Sequence, residues 1–111
     1  MGKKGIIHGK ISELISYQDG SIVSREMIRE ETGTVTLLAI DKGKGLNERA
    51  APYDVLVQVT EGEGTITIEG KPYNLKEGEI ILMPAGKPHS VACEEKFKMM
   101  LVVIKSDQGV Q

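Results

Sequence analysis

Apolar and polar residues alternate with a period of two along much of this chain. The alternation is strict in Thr65-Ile66-Thr67-Ile68-Glu69, as expected of a strand with one face in a core and the other in water. That pattern turns Ile66 and Ile68 inward. Val55, Val57 and Val59 share one face by the same period, with Leu56, Gln58 and Thr60 on the other. Segments rich in β-branched or apolar residues run from Thr34 to Asp41, Val55 to Thr60, Thr65 to Glu69, Ile80 to Met83, His89 to Cys93 and Phe97 to Lys105, and each is predicted to be a strand. Ser21 to Glu31 is read as a further strand, although the spacing of Val23 and Met27 also suits a short helix.

Glycine-containing turn signals separate these segments. They fall at Asp19-Gly20, Thr32-Gly33, Lys42-Gly43-Lys44-Gly45, Glu61-Gly62-Glu63-Gly64, Glu69-Gly70-Lys71-Pro72, Glu77-Gly78 and Ala85-Gly86-Lys87-Pro88. Short strands punctuated in this way predict an all-β sandwich or barrel. The chain has 111 residues, enough for one ordinary domain. Its 40% hydrophobic and 27% charged residues are those of a folded globular protein.

Charge and composition narrow the function classes. Lys plus Arg number 14 against 16 for Asp plus Glu, so no basic excess drives phosphate binding, and nucleic acid is not expected as a partner. With one Phe, three Tyr and no Trp, a stacking surface for single strands is also disfavoured. The longest apolar run, Met99 to Ile104, falls far short of the roughly 20 residues of a membrane helix. Met1-Gly2-Lys3-Lys4-Gly5 carries positive charge, but Ile6-Ile7 is too short for a secretory h-region and His8 interrupts it. A cytoplasmic protein is expected. The single Cys93 allows no intrachain disulfide and is read as packing.

The chain from Gly78 runs Gly78-Glu79-Ile80-Ile81-Leu82-Met83-Pro84-Ala85-Gly86-Lys87-Pro88-His89-Ser90-Val91-Ala92-Cys93. This resembles the second motif of the cupin family, G-x5-P-x-G-x2-H-x3-N, with Gly78, Pro84, Gly86 and His89 in register and Cys93 in place of the final Asn. In physical terms a glycine turn feeds an apolar strand, Pro84 ends it, Gly86 permits a tight bend, and His89 opens the next strand. His89, Val91 and Cys93 then share a face directed into the barrel. The first cupin motif, G-x5-H-x-H-x3,4-E-x6-G, can be laid on Gly43 and Gly62. Its glycines match, but Arg49 and Ala51 stand at the histidine positions and Val55 at the acidic one. The resemblance covers roughly residues 33–106 and implies a double-stranded β-helix, the cupin jelly-roll barrel, within a single domain spanning 1–111.

Cupins often hold a divalent transition metal, which needs three or four converging imidazole or carboxylate ligands. Of the expected set only His89 is present. His8, Glu48, Asp54 or Gln58 would have to complete it, and the Arg49 guanidinium, which cannot ligate, opposes a cation nearby. No cofactor is therefore expected with certainty, and a metal is disfavoured. The alternative takes the substitutions at face value: Arg49 and His89 at the barrel mouth bind a small anion, with Gln58, Met83 and Cys93 also in the pocket. Met83 would adapt its shape to a ligand or simply fill the core. A Cys93-His89 nucleophilic pair is improbable, since four residues of strand separate them by ~13 Å. Glu48 is the best general acid or base candidate. Two other readings stay open: a metal-dependent dioxygenase or isomerase using His89 with unconventional ligands, and a non-catalytic structural or sensory protein with a filled barrel.

Because Met99 to Ile104 is apolar on both faces, the outer face needs a cover, and a second subunit would supply one. A homodimer is expected, with the N-terminal segment 6–31, especially Ile6-Ile7 and Ile11 to Ile15, at its interface.

Overall fold

The computed structural model describes residues 5–105. A 3-10 turn, Ile11–Glu13, precedes nine strands: β1 (Ile22–Glu30), β2 (Gly33–Ile40), β3 (Gly45–Arg49), β4 (Asp54–Glu61), β5 (Glu63–Ile68), β6 (Lys71–Lys76), β7 (Ile80–Met83), β8 (His89–Ala92) and β9 (Phe97–Ile104). They form two sheets, β1-β2-β9-β4-β7 and β3-β8-β5-β6, with every pairing antiparallel. Two antiparallel sheets closed face to face in this order make a jelly-roll barrel. Ser21 to Glu31 is strand, as the alternation predicted, with Met27 as the extra residue of a bulge between Glu26 and Ile28. Among the described residues no helix is long and apolar enough to cross a membrane.

The residues predicted to point inward do so. Val55, Val57, Val59 and Ile66 are buried with Leu38, Ile40, Met83, Val91 and Met99 between the sheets. Phe97, fully buried at the start of β9, closes one end of the barrel. Its ring lies against Gly64, where an added Cβ would come within 2.5 Å of it; only glycine fits there. Two strands escape the hydrophobic pattern. In β6 only Leu75 is buried, and Pro72 is tolerated because β6 is an edge strand. In β3 only Leu46 is even half-buried.

A second apolar cluster lies outside the five-stranded sheet. Ile15, Leu37 and Ala39 form it, with Ile11, Leu14, Tyr17, Val23, Met27 and Met100 packed around them. Ile11 to Ile15 thus cover their own chain's sheet, whereas Ile6 and Ile7 are exposed. Lys98 also points to this outer side. Its side chain is 8% exposed and lies 3.9 Å from Glu61, donates to the Ser12 carbonyl, and sits 4.9 Å from the centre of the Tyr17 ring. Tyr17 in turn donates to Glu61 Oε2 at 2.7 Å. An ammonium buried without such partners would be strongly destabilising, so these contacts tie the N-terminal segment down.

Burial, together with the Glu61 carboxylate that accepts its proton, pushes the Tyr17 hydroxyl well above the ordinary tyrosine range. A pKa raised in the folded state means that the native protein holds this proton more tightly than the unfolded chain. The contribution to stability is complete below pH ~10 and is lost as pH rises beyond it. Thermal unfolding measured from pH 8 upward will show a stability loss above pH ~10 that Tyr17→Phe reduces. An unchanged pH dependence in Tyr17→Phe would show that this contact plays no such part.

Candidate functional site

Pro84 ends β7, and the turn after it is tied to the loop facing it across the barrel mouth. Asp54 accepts a hydrogen bond from the Ala85 N–H at 2.9 Å, and the Gly86 N–H donates to the Ala51 carbonyl at 2.7 Å. Gly86 has φ +83°, a left-handed conformation that glycine adopts without a Cβ clash. The chain then enters β8 at His89, which pairs with Ile68 on one side and Arg49 on the other. Val91, two residues on, is in the core, so the same face carries His89 toward the barrel interior.

Arg49 reaches this face through an irregularity in β3. Leu46 is paired with Val91 and Arg49 with His89, so two residues of β3 oppose one of β8. In a regular strand the residue sharing a face with Leu46 would be Glu48. The bulge reverses that parity and aims Arg49 at the cavity. In β1, Glu26 lines the same cavity in regular register with Ile22 and Ser24, and the bulge that follows it turns Ile28 to the other face.

The cavity at this end of the barrel has a volume of about 420 Å³, within the range of small-molecule sites. Val55, Met83, Val91, Met99, Leu101 and Val103 provide an apolar floor, and Asn47, Arg49, Tyr53, His89, Lys105 and Glu26 polar or charged walls. Arg49 forms no ion pair among the described residues. The His89 Nδ1 lies 3.3 Å from the Lys87 carbonyl. A carbonyl oxygen can only accept, so Nδ1 carries the proton and Nε2 is left to meet a ligand. Lys105 lies with its ammonium 5.8 Å from the Tyr53 ring centre.

Of the residues expected in the pocket, Arg49, His89 and Met83 come together here. Gln58 does not: it lies on the outer face of the sheet and donates to the Gly78 carbonyl, because β4 buries Val57 and Val59 instead. Cys93 does not either. It follows β8, packed against the core away from the cavity, where its thiol donates to the carbonyls of Asp41 and Lys44, each at 3.4 Å. Burial pushes this thiol upward, which disfavours the thiolate. The proposed supplementary metal ligands are dispersed as well. His8 is exposed near the start of the described chain, Glu48 is turned away by the bulge, and Asp54 is used by the turn at Ala85.

Lys105, Tyr53, Asn47 and Glu26 were not anticipated. A period-two reading of Met99, Leu101, Val103 and Lys105 holds the signal for Lys105, which is masked by the equally apolar opposite face of β9. A larger open groove, about 820 Å³, runs between the edges of β6 and β7, but its Lys87 already pairs with Glu69 at 3.5 Å.

A sequence profile of the cupin domain matches residues 33–105, and the chain belongs to that family. A conserved protein of unknown function from Streptococcus pyogenes is similar in structure, with TM-score 0.84 and 28% identity over 96% of this chain and 92% of that one. A cupin 2 conserved barrel domain protein from Leptotrichia buccalis has TM-score 0.82 and 40% identity, covering 85% of this chain and 46% of that one. An uncharacterized protein of Aquifex aeolicus is 27% identical over 95 residues, 84% of this chain and 78% of its own length.

A metal in this fold would need several donors around His89. Among the described residues no three His, Cys, Asp or Glu side chains converge, and Arg49 and Lys105 share the cavity with His89. This donor set does not fit a divalent transition metal.

Because Cys93 is the single cysteine, its reactivity gives a clean readout of its environment. Reaction with a disulfide reagent at neutral pH will be at least about tenfold slower in the folded protein than in urea. Equal rates would mean that the thiol is not held as described.

Proposed function

We propose that the barrel mouth binds a small organic anion, a carboxylate joined to a compact apolar body, without a resident metal ion. The observation that carries this reading is the pairing of Arg49 with His89 on adjacent strands above an apolar cavity floor. A guanidinium presents two parallel N–H donors that match a carboxylate, and among the described residues Arg49 pairs with no carboxylate. His89 Nε2 meets the anion as a second donor. Its Nδ1 proton is already directed at the Lys87 carbonyl, so donation from both nitrogens requires the imidazolium form.

The floor supports the second half of the proposal. Met83 and Met99 are flexible thioethers that accommodate varied apolar shapes, and β-branched Val55, Val91 and Val103 leave few rotamers to be frozen. The volume holds a ligand and argues against a filled, purely structural barrel. Lys105 adds a second fixed cation, and Glu26 is the one carboxylate on the lining, so an incoming anion meets a positive balance.

Titration calorimetry with short-chain and aromatic monocarboxylates, each beside its neutral amide, tests the reading. A carboxylate will bind and its amide will not, and Arg49→Met will weaken binding at least about tenfold. Unchanged affinity in Arg49→Met overturns the proposal. So does near-stoichiometric Mn, Fe, Co, Ni, Cu or Zn in tag-free protein that is lost in His89→Ala, which would direct attention to metal-dependent chemistry.

A further inference from the structure

The inward face of β9, with Met99, Leu101 and Val103, continues one step beyond the end of the strand. The next inward position is Lys105, which lines the cavity. Two contacts fix it there. Its N–H donates to the Thr32 carbonyl at 2.7 Å, continuing the pairing of β9 with β2. Its ammonium stands 5.8 Å from the centre of the Tyr53 ring, a distance at which a ring face attracts a cation. Neither contact neutralises the charge. Arg49 is in the same condition, since among the described residues neither cation is ion-paired.

Glu26, the carboxylate on the lining, does not offset them. Residues three apart on a regular strand face opposite ways, but the β1 bulge returns Arg29 to the face of Glu26. Glu26 pairs with Thr36 and Arg29 with Thr34, two positions apart on β2. The Arg29 guanidinium accordingly lies 3.4 Å from the Glu26 carboxylate. With that pair balanced, the mouth keeps the uncompensated charges of Arg49 and Lys105. They come from opposite sheets, Arg49 from β3 and Lys105 from the end of β9. Facing sheets lie ~10 Å apart, so the two cations approach the cavity from its two walls. A single carboxylate that takes the Arg49 fork leaves Lys105 unanswered.

We infer that the ligand is a dicarboxylate: its apolar body bears a second carboxylate, received by Lys105 while Arg49 and His89 hold the first. This rests on the reading of the mouth as an anion site and specifies the class of ligand. Two separated negative charges match two separated positive ones, and such complementarity selects against a ligand that leaves one cation desolvated and unpaired. The spacer between the carboxylates lies over the apolar floor of the cavity. A lysine ammonium is a point charge on a flexible stem, so it accepts the far carboxylate without demanding a fixed fork geometry. A phosphate monoester carries both charges on one group and therefore serves one wall only.

Titration calorimetry with succinate, glutarate and adipate, each beside its half-amide, tests this inference. A half-amide keeps the length of the diacid and one of its carboxylates. At least one diacid will bind about tenfold more tightly than its half-amide. Lys105→Met will remove that advantage and leave the half-amide affinity unchanged, which also reports that the variant is folded and its Arg49 end intact. Lys105→Arg will retain most of the advantage. If diacid and half-amide bind alike to the wild-type chain, or if the preference survives Lys105→Met, the dicarboxylate inference is overturned while the anion site at Arg49 stands. Methyl phosphate binding more tightly than every diacid, in a manner dependent on Lys105, would mean that both cations converge on one group and would overturn it likewise. Binding of neither diacid nor half-amide overturns the anion reading itself, and this inference with it.

Discussion

Strand β9 carries apolar side chains on both faces, one set in the core and the other meeting the N-terminal cluster at Met100, and most of the molecule is arranged around that constraint. Its inward set, Met99, Leu101, Val103 and Lys105, runs from the core to the cavity mouth, while Lys98, Met100, Val102 and Ile104 face outward. A slip of one residue would exchange the sets, bringing the Lys98 ammonium into the barrel and Met99 to the outside. Lys98 therefore fixes the register as firmly as the hydrophobic residues do. It is tolerated in its outward position because Ser12, Tyr17 and Glu61 are brought to it, and these contacts also account for the path of the N-terminal segment across the sheet.

The cavity follows from the inward set together with one departure from regular pairing. The floor is ordinary core extended toward an open end, Phe97 having filled the other end against Gly64. The guanidinium is supplied by a bulge. An extra residue in β3 brings Arg49 rather than Glu48 into line with His89, whereas Glu26 reaches the inner face of β1 by regular pairing. Had β3 been regular, a carboxylate would stand beside the imidazole and the site would favour a cation. One inserted residue thus sets the sign of the local charge, a larger effect than any single substitution on the walls.

The six segments with clear alternation or apolar runs are strands in the structure because burial of one face leaves a direct trace in residue order. The cupin resemblance was legible for a related reason: the glycine, proline and histidine of the turn before β8 occupy positions with fixed backbone demands, as the left-handed Gly86 illustrates. Strands β3 and β6 were less legible because they bury little, so their pairing rests on backbone hydrogen bonds to which side-chain pattern is indifferent. Gln58 and Cys93 were assigned to the pocket by motif and face counting. Gln58 failed because Val57 and Val59 claim the inner face of β4, and Cys93 because it continues past the end of β8 to the carbonyls of Asp41 and Lys44. Lys105 was missed for the opposite reason, as an inward residue on a strand whose two faces look alike in sequence.

The residues at the positions laid on the first cupin motif each have a physical role of their own in this chain. Val55, at the position of the acidic ligand, is 6% exposed and part of the core, where a carboxylate would carry a desolvation cost without a metal to offset it. The Ala51 carbonyl receives the Gly86 N–H, so this residue contributes through its backbone and needs no functional side chain. Arg49 stands beside the remaining imidazole, with Lys105 on the same lining. A cation placed at His89 would meet repulsion from both in a cavity that screens charge less well than water, whereas an anion would be attracted by both. The three positions are therefore mutually consistent: one packs in the core, one closes the turn through its carbonyl, and one sets a guanidinium beside the imidazole.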